Sequence, residues 1–160
     1  MTVDVVTETT IKRPVGLVAK YAADPSNAPY WCTNIEHIEW KTPPPLQVGS
    51  LVEFVGNFLG RRLRCTYEIV EFKPRERLVM RTAEGPFPME TSYAWAATGK
   101  GETTMTLHTR REQSGFGKLT APVIKLVMRQ ANKDDLRRLK SILERHSGPR
   151  PRGGRFGRAY

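Results

Sequence analysis

The stretch LTAPVIKLVMRQANKDDLRRLKSILERH, residues 119–146, decides the fold. It contains no glycine, and its one proline, Pro122, falls where a first helical turn tolerates a missing N–H. At 100° per residue Met128, Asn132, Leu136, Leu139 and Leu143 align on one face, widened at its start by Ile124, Val127 and Ala131. Lys133, Arg137, Lys140 and Glu144 fall on the opposite, water-facing side. The pattern predicts one amphipathic helix of about 25 residues, about 40 Å long at the α-helical rise. Gly148 ends it. Beyond it, GPRPRGGRFGRAY holds too much Gly, Pro and Arg to bury anything, so residues 1–146 read as a single domain and 147–160 as a flexible tail.

Upstream the period is two. Val3, Val5, Thr7, Thr9 and Ile11 alternate with mostly polar neighbours, as a half-buried strand requires. Pro14 suits the first turn of a short helix through about Ala22, and Asp24 caps a second that starts at Pro25 and carries Tyr30 and Trp31. Six further strands follow: Ile35 to Lys41, Leu51 to Asn57, Arg62 to Phe72, Arg77 to Ala83, Met89 to Ala97 and Thr103 to Glu112. Turn chemistry separates them: TPPP at 42–45, Gly49, Gly60, KPRE at 73–76, EGPFP at 84–88 and GKG at 99–101. Such short connections favour an antiparallel meander over βαβ units. One helix cannot cover seven strands lying flat, so the sheet is expected to curve around it and leave a cavity between them.

Composition narrows the function. The chain has 160 residues, 39% hydrophobic and 26% charged, ordinary for one globular domain. Its formal charge is +10, which points first to nucleic acid or an anionic membrane. The charge is uneven, however. Residues 118–145 carry eight basic side chains against three acids, and residues 147–160 carry four arginines and no acid, leaving the remainder near neutral. No run of eighteen apolar residues exists, and the opening MTVDVVTETTI lacks the basic and apolar regions of a signal peptide, so cytoplasmic residence is expected. Cys32 and Cys65 lie in different elements without CxxC spacing or clustered histidines, so both read as reduced structural thiols. Neither a metal nor a cofactor is expected: GxSxG, HExxH and phosphate-cradling glycine loops are all missing.

The order of elements, carried by IKRPVGLVAKYAADPSNAPYW (11–31), PPPLQVGSLVEF (43–54), EFKPRERLVMR (71–81), SYAWAATGKGETTMTL (92–107) and NKDDLRRLKSILE (132–144), resembles the helix-grip fold of the START-related lipid-transfer and polyketide cyclase/dehydrase superfamily (SRPBCC). The resemblance spans residues 3–145 and leaves out the tail. It implies an α+β protein, a curved seven-stranded antiparallel sheet wrapped around a long C-terminal helix with two short helices after the first strand. It further implies a hydrophobic or amphipathic small molecule (lipid, sterol or polyketide-like) in the cavity. Members of the superfamily include binders, transporters and cyclases, so fold alone does not choose among them.

Strand alternation nominates the inner wall. Val52, Phe54 and Gly56 share a face, as do Leu63, Cys65, Tyr67 and Ile69; Leu78, Met80 and Thr82; Thr91, Tyr93 and Trp95; and Thr103, Met105 and Leu107. Their alternates Glu53, Arg64, Glu68, Arg81, Glu90 and Glu102 are polar and expected outside. From these sets Phe54, Tyr67, Met80, Tyr93, Trp95 and Met105 are ligand-contact candidates, joined from the helix by Ile124, Val127, Met128 and Asn132. Trp31, Phe58, Phe87 and Met89 lie near turns and are placed at the cavity mouth.

Asn132 interrupts the apolar stripe, where an unpaired amide costs about 1 to 3 kcal/mol, so it needs a strand partner or a ligand. Asp135, at the stripe's edge, and Arg61, beside Gly60, are read as solvated. His37, His108 and His146 are too scattered to form a site. If the protein is an enzyme, a cyclase/dehydrase-like reaction on a poly-ketone would use Tyr67, Tyr93 and Asn132 as donors to an enolate. A third reading gives the basic helix face and the tail to nucleic acid or anionic lipid. Monomer and homodimer are both open, with Val123 and Leu126 pointing away from the main stripe.

Overall fold

The computed structural model describes residues 2–58, 60–85, 88–112 and 121–145. The 147–160 tail, His146 and Phe87 lie outside these residues, as does the side chain of Phe58. Strand β1 (Thr2–Ile11) buries Val3, Val5, Thr7 and Ile11 and turns Asp4, Val6, Glu8 and Thr10 outward. After Pro14, helix α1 (Val15–Ala23) buries Val18, Ala19, Ala22 and Ala23. Asp24 does cap the next element, its Oδ1 accepting from the Ser26 amide at 2.9 Å. That element is a 3-10 turn at Pro25–Asn27 running into the four-residue helix α2 (Ala28–Trp31). Helix α3 covers Ala121–Arg145.

Between them lie β2 (Ile35–Trp40), β3 (Leu51–Phe58), β4 (Arg61–Lys73), β5 (Arg77–Glu84), β6 (Met89–Gly99) and β7 (Glu102–Glu112). All pairings are antiparallel, and the seven strands form one curled sheet in the order β1-β7-β6-β5-β4-β3-β2. The fold is the expected helix grip. Gly56 on β3 allows β2 to start close by: a Cβ there would meet the Asn34 carbonyl oxygen at 1.9 Å. That same carbonyl accepts the Asn57 amide at 2.8 Å, where the β2 register shifts between Ile35 and His37.

The core divides along α3. Leu136, Leu139 and Leu143 belong to the main cluster with Ile11, Val18, Ala19, Ala22, Trp95 and Met105. Ile124 and Met128, in the helix's first half, join Val3 and Val5 in a separate small cluster. The C-terminal end is also clasped by polar groups. Glu144 Oε2 accepts from the Lys12 amide at 2.8 Å and from Lys140 Nζ at 2.7 Å; Lys140 also donates to the Thr10 carbonyl, and Arg13 to that of Leu143. Lys140 and Glu144 are thus fastenings to β1, in place of the expected solvated face. Glu53 keeps its expected outward parity but is not exposed there. It is buried and satisfied by Arg64 Nη1 at 2.9 Å and Lys41 Nζ at 3.9 Å, because the strand's polar face is itself covered by long basic side chains.

Candidate functional site

Where α3 bridges the curl of the sheet, its first half stands off and encloses a cavity of about 200 Å3. From α3, Met128, Ala131, Asn132 and Asp135 face it. Trp31 and Cys32 close one side at the end of α2, followed by Asn34 and Ile35. The sheet supplies Phe54 and Gly56 from β3, Leu63, Cys65 and Tyr67 from β4, and Met80 from β5. Period-two alternation then brings Met89, Thr91 and Tyr93 from β6 opposite Arg111, Thr109 and Leu107 of β7 in three cross-strand pairs.

The aromatic rings form two packed groups along the cavity wall, one of them continued behind it by Trp95. Trp31 and Tyr93 lie 5.7 Å apart at 58°, Tyr93 and Trp95 6.1 Å apart edge to face, and Phe54 and Tyr67 5.4 Å apart at 48°, all favourable ring geometries. Burial holds both phenols in their neutral, proton-bearing form by pushing their pKa values upward. Tyr67 donates to the Met89 sulfur at 3.2 Å. Asn132, which the apolar stripe required to have a partner, donates from Nδ2 to Thr109 Oγ1 at 3.2 Å.

The sequence-nominated residues separate into two groups. Trp31, Phe54, Tyr67, Met80, Met89, Tyr93, Met128 and Asn132 converge on the cavity. Trp31 is only 1% exposed, a deep wall and no rim, because α2 tucks its ring under α3. Trp95, Met105, Ile124 and Val127 are not among the cavity's walls. Trp95 and Met105 lie further along β6 and β7, in the main core with the helix α1 residues, and Ile124 packs on Val3 and Val5. Val127 is half-buried beside the stripe.

Two charged residues are additions to that set. Asp135 was expected to be solvated, yet it is 9% exposed and its Oδ1 accepts from the Thr33 amide at 2.8 Å and the Thr33 hydroxyl at 3.0 Å. Burial raises its pKa to about 6, against the opposing effect of those two hydrogen bonds. Arg111 is 2% exposed and faces the cavity two residues beyond Thr109. Burial lowers its pKa, while Tyr67 and Cys65 beside it act in the opposite direction. The signal for Arg111 was available: it continues the inward parity of Met105 and Leu107. Cys65 and Cys32 are free thiols whose pKa values burial raises. Among the described residues no group of three or more His, Cys, Asp or Glu side chains is placed to hold a metal. No helix there is long and apolar enough to cross a membrane.

Solved structures with this architecture include an aromatase/cyclase, Zhui, from Streptomyces sp. R1128, with a TM-score of 0.77 at 17% identity, covering 94% of this chain and 99% of that one. A START superfamily protein from Mycobacterium smegmatis matches with a TM-score of 0.78 at 12% identity over 89% of this chain and 97% of its own. A major latex-like protein from Panax ginseng gives 0.69 at 17% identity, covering 88% and 96%. These likenesses share the fold. No curated protein sequence matches the chain. The family model described as polyketide cyclase/dehydrase and lipid transport matches residues 2–144, from the start of β1 to the last turn of α3, and the chain therefore belongs to that family.

Proposed function

We propose that this protein binds a small hydrophobic or amphipathic molecule in the cavity between α3 and the sheet. The observation that carries the reading is the cavity itself: natural cores are packed to near-crystalline density, and a void of about 200 Å3 lined by aromatic and aliphatic side chains is a departure from that rule. Pockets for drug-sized ligands measure roughly 300 to 1,000 Å3, so this smaller cavity suits a one- or two-ring or medium-chain molecule better than a four-ring sterol. Its polar groups are few and convergent, as orientation of such a ligand requires. The free thiols Cys32 and Cys65 support a reducing, cytoplasmic setting.

The test is saturable, one-to-one binding of the neutral fluorescent probe N-phenyl-1-naphthylamine, displaced by decan-1-ol. Probe fluorescence that rises without saturation, or that decanol leaves untouched, would remove the reading.

A cyclase-type reaction is the second reading, favoured by one observation: Tyr67, Tyr93 and Asn132 all face the same cavity, and burial keeps both phenols protonated as donors. Turnover of a poly-ketone analogue that falls in Tyr93→Phe would support it. A docking role for the basic helix face is weaker. Lys140 is held by Thr10 and Glu144, Arg138 by the Tyr30 carbonyl and Arg137 by Asp134. That role would rest mainly on the arginines of residues 147–160. Val123 and Leu126 are exposed on α3, the latter at 65%, which keeps a homodimer contact open alongside the monomer.

A further inference from the structure

The cavity's polar groups are unequal in kind. Arg111 contributes a guanidinium with five N–H donors and no acceptor, and Asn132 an amide whose Nδ2 already donates toward Thr109. Trp31 contributes an indole N–H that has no hydrogen-bond acceptor among the described residues, although the residue is 1% exposed. Against these donors the strongest acceptor on the wall is the Asp135 carboxylate, and its Oδ1 is already engaged by both Thr33 groups. A cavity supplying donors in excess is complementary to a ligand supplying acceptors. Of the donors, the guanidinium is charged at every physiological pH and matches the two oxygens of a carboxylate in one plane. Its fork is wide enough to hold a neighbour and still present N–H groups to a ligand.

The position of Arg111 adds polarity. Along β7 it lies two residues, about 7 Å, beyond Thr109, which pairs with Asn132; Asp135 lies almost one turn further along α3 in the other direction. The two charges therefore stand at opposite ends of the polar line, with Asn132 between them. Tyr67 and Cys65 lie beside Arg111, and burial keeps both in their neutral form. A carboxylate would be attracted at the Arg111 end and repelled at the Asp135 end. An apolar body extending from Arg111 would then lie against Tyr93, Phe54 and Trp31.

We propose that the ligand is an amphipathic carboxylic acid, its carboxylate paired with the Arg111 guanidinium and its apolar body against the aromatic wall. This deepens the ligand-binding reading above and rests on it.

The test compares decanoic acid, below its micellar concentration, with decan-1-ol as competitors of the neutral naphthylamine probe at pH 7.5, using the full chain and Arg111→Gln. The wild type should be displaced by decanoate at a concentration at least tenfold lower than by decanol. R111Q should lose that preference, its ratio of decanol to decanoate displacing concentrations falling to within about twofold of one, and Arg111→Lys, which keeps the charge, should retain part of it. Equal displacement by acid and alcohol in the wild type, or an unchanged preference in R111Q, overturns the Arg111 assignment and leaves the cavity reading intact. Failure of both competitors, with no saturable probe binding, overturns both. Circular dichroism establishes that R111Q is folded; if it is not, Arg111→Met takes its place, and the wild-type acid-to-alcohol ratio decides independently.

Discussion

Between Leu136 and Leu143, α3 packs into the main core with the sheet and α1, whereas between Met128 and Asp135 the same helix spans a cavity of about 200 Å3. The two halves share an amphipathic pattern and differ in what faces them. Ahead of the C-terminal half stand Ile11, Val18, Ala19, Ala22 and Met105, supplied by β1, α1 and β7 and filling the interior. Ahead of the other half α1 is absent, and the wall is the concave sheet closed on one side by Trp31 and Cys32 at the end of α2. The helix is fixed at its C-terminal end by Glu144, Lys140 and Arg13, so stability is concentrated at one end and the cavity is carried at the other. A binding protein needs this division, since a ligand site built into the core's densest part would have to be opened at the expense of packing.

The largest expected contrast comes from truncating the helix on each side. Leu139 is fully buried, so Leu139→Ala removes packed atoms and leaves a new void, at a cost of about 4 kcal/mol. Met128→Ala deletes a side chain that already borders empty space on one side, and its cost should be about 2 kcal/mol. Urea unfolding of the two variants reads the difference. Equal losses would mean that the cavity does not relieve the first half of α3 of packing.

Asp135 offers the next effect. Burial first of all raises its pKa to about 6 from an ordinary 3.8, so the folded chain binds that proton more tightly than the unfolded chain does. Stability attributable to this group therefore falls as pH rises from about 4 to about 6 and stays lower above it. Asp135→Asn keeps an oxygen to accept from Thr33 and removes the buried charge. The variant should gain about 1 to 2 kcal/mol at pH 7 and almost nothing at pH 3.5, a slope that denaturant unfolding at the two pH values measures. A loss at pH 7 would mean that the charge, held by Thr33, is worth more than its desolvation.

The difference between the halves also explains what could be read from sequence. Period two and period 3.6 placed every strand and the long helix, because each buries one face and the pattern needs no knowledge of neighbours. Parity tells which side of a sheet a residue faces but not how far along the curl it lies. Trp95 and Met105 share their strands' inward parity with Tyr93 and Leu107, yet they fall opposite α1, where the interior is full. Depth was set by α1, whose position no local pattern contains. Arg111 and Asp135 were passed over for another reason. Charged residue types argue for solvent on average, and only the Thr33 donors and the cavity's location show why these two are inside.

The clasp gives a smaller effect. Glu144→Ala removes the acceptor of the Lys12 amide and of Lys140, both partly open to water, and should cost about 1 kcal/mol. Amide hydrogen exchange should quicken in the last turn of α3 and at residues 10–13, while the protection of Met128 to Asn132 stays as it was. Faster exchange spread over the whole helix would show that the two ends are one cooperative unit.

The sharpest test of the comparison is one chemical change made twice. Ala19 lies in the filled region at 3% exposure, and Ala131 borders the cavity. Three extra carbons at Ala19 have nowhere to go, so Ala19→Leu should cost about 1 to 3 kcal/mol through displaced neighbours. At Ala131 the same carbons enter space that is already there and cover apolar wall, so Ala131→Leu should change stability by no more than about 0.5 kcal/mol in either direction. The latter variant should nonetheless weaken binding of the naphthylamine probe at least tenfold, because the added side chain occupies the volume the probe needs. Thermal unfolding and probe titration on the pair separate the two expectations. A well-folded Ala131→Leu that binds the probe like the wild type would place the probe elsewhere, and an Ala131→Leu as damaged as Ala19→Leu would mean that the first half of α3 has no room to spare.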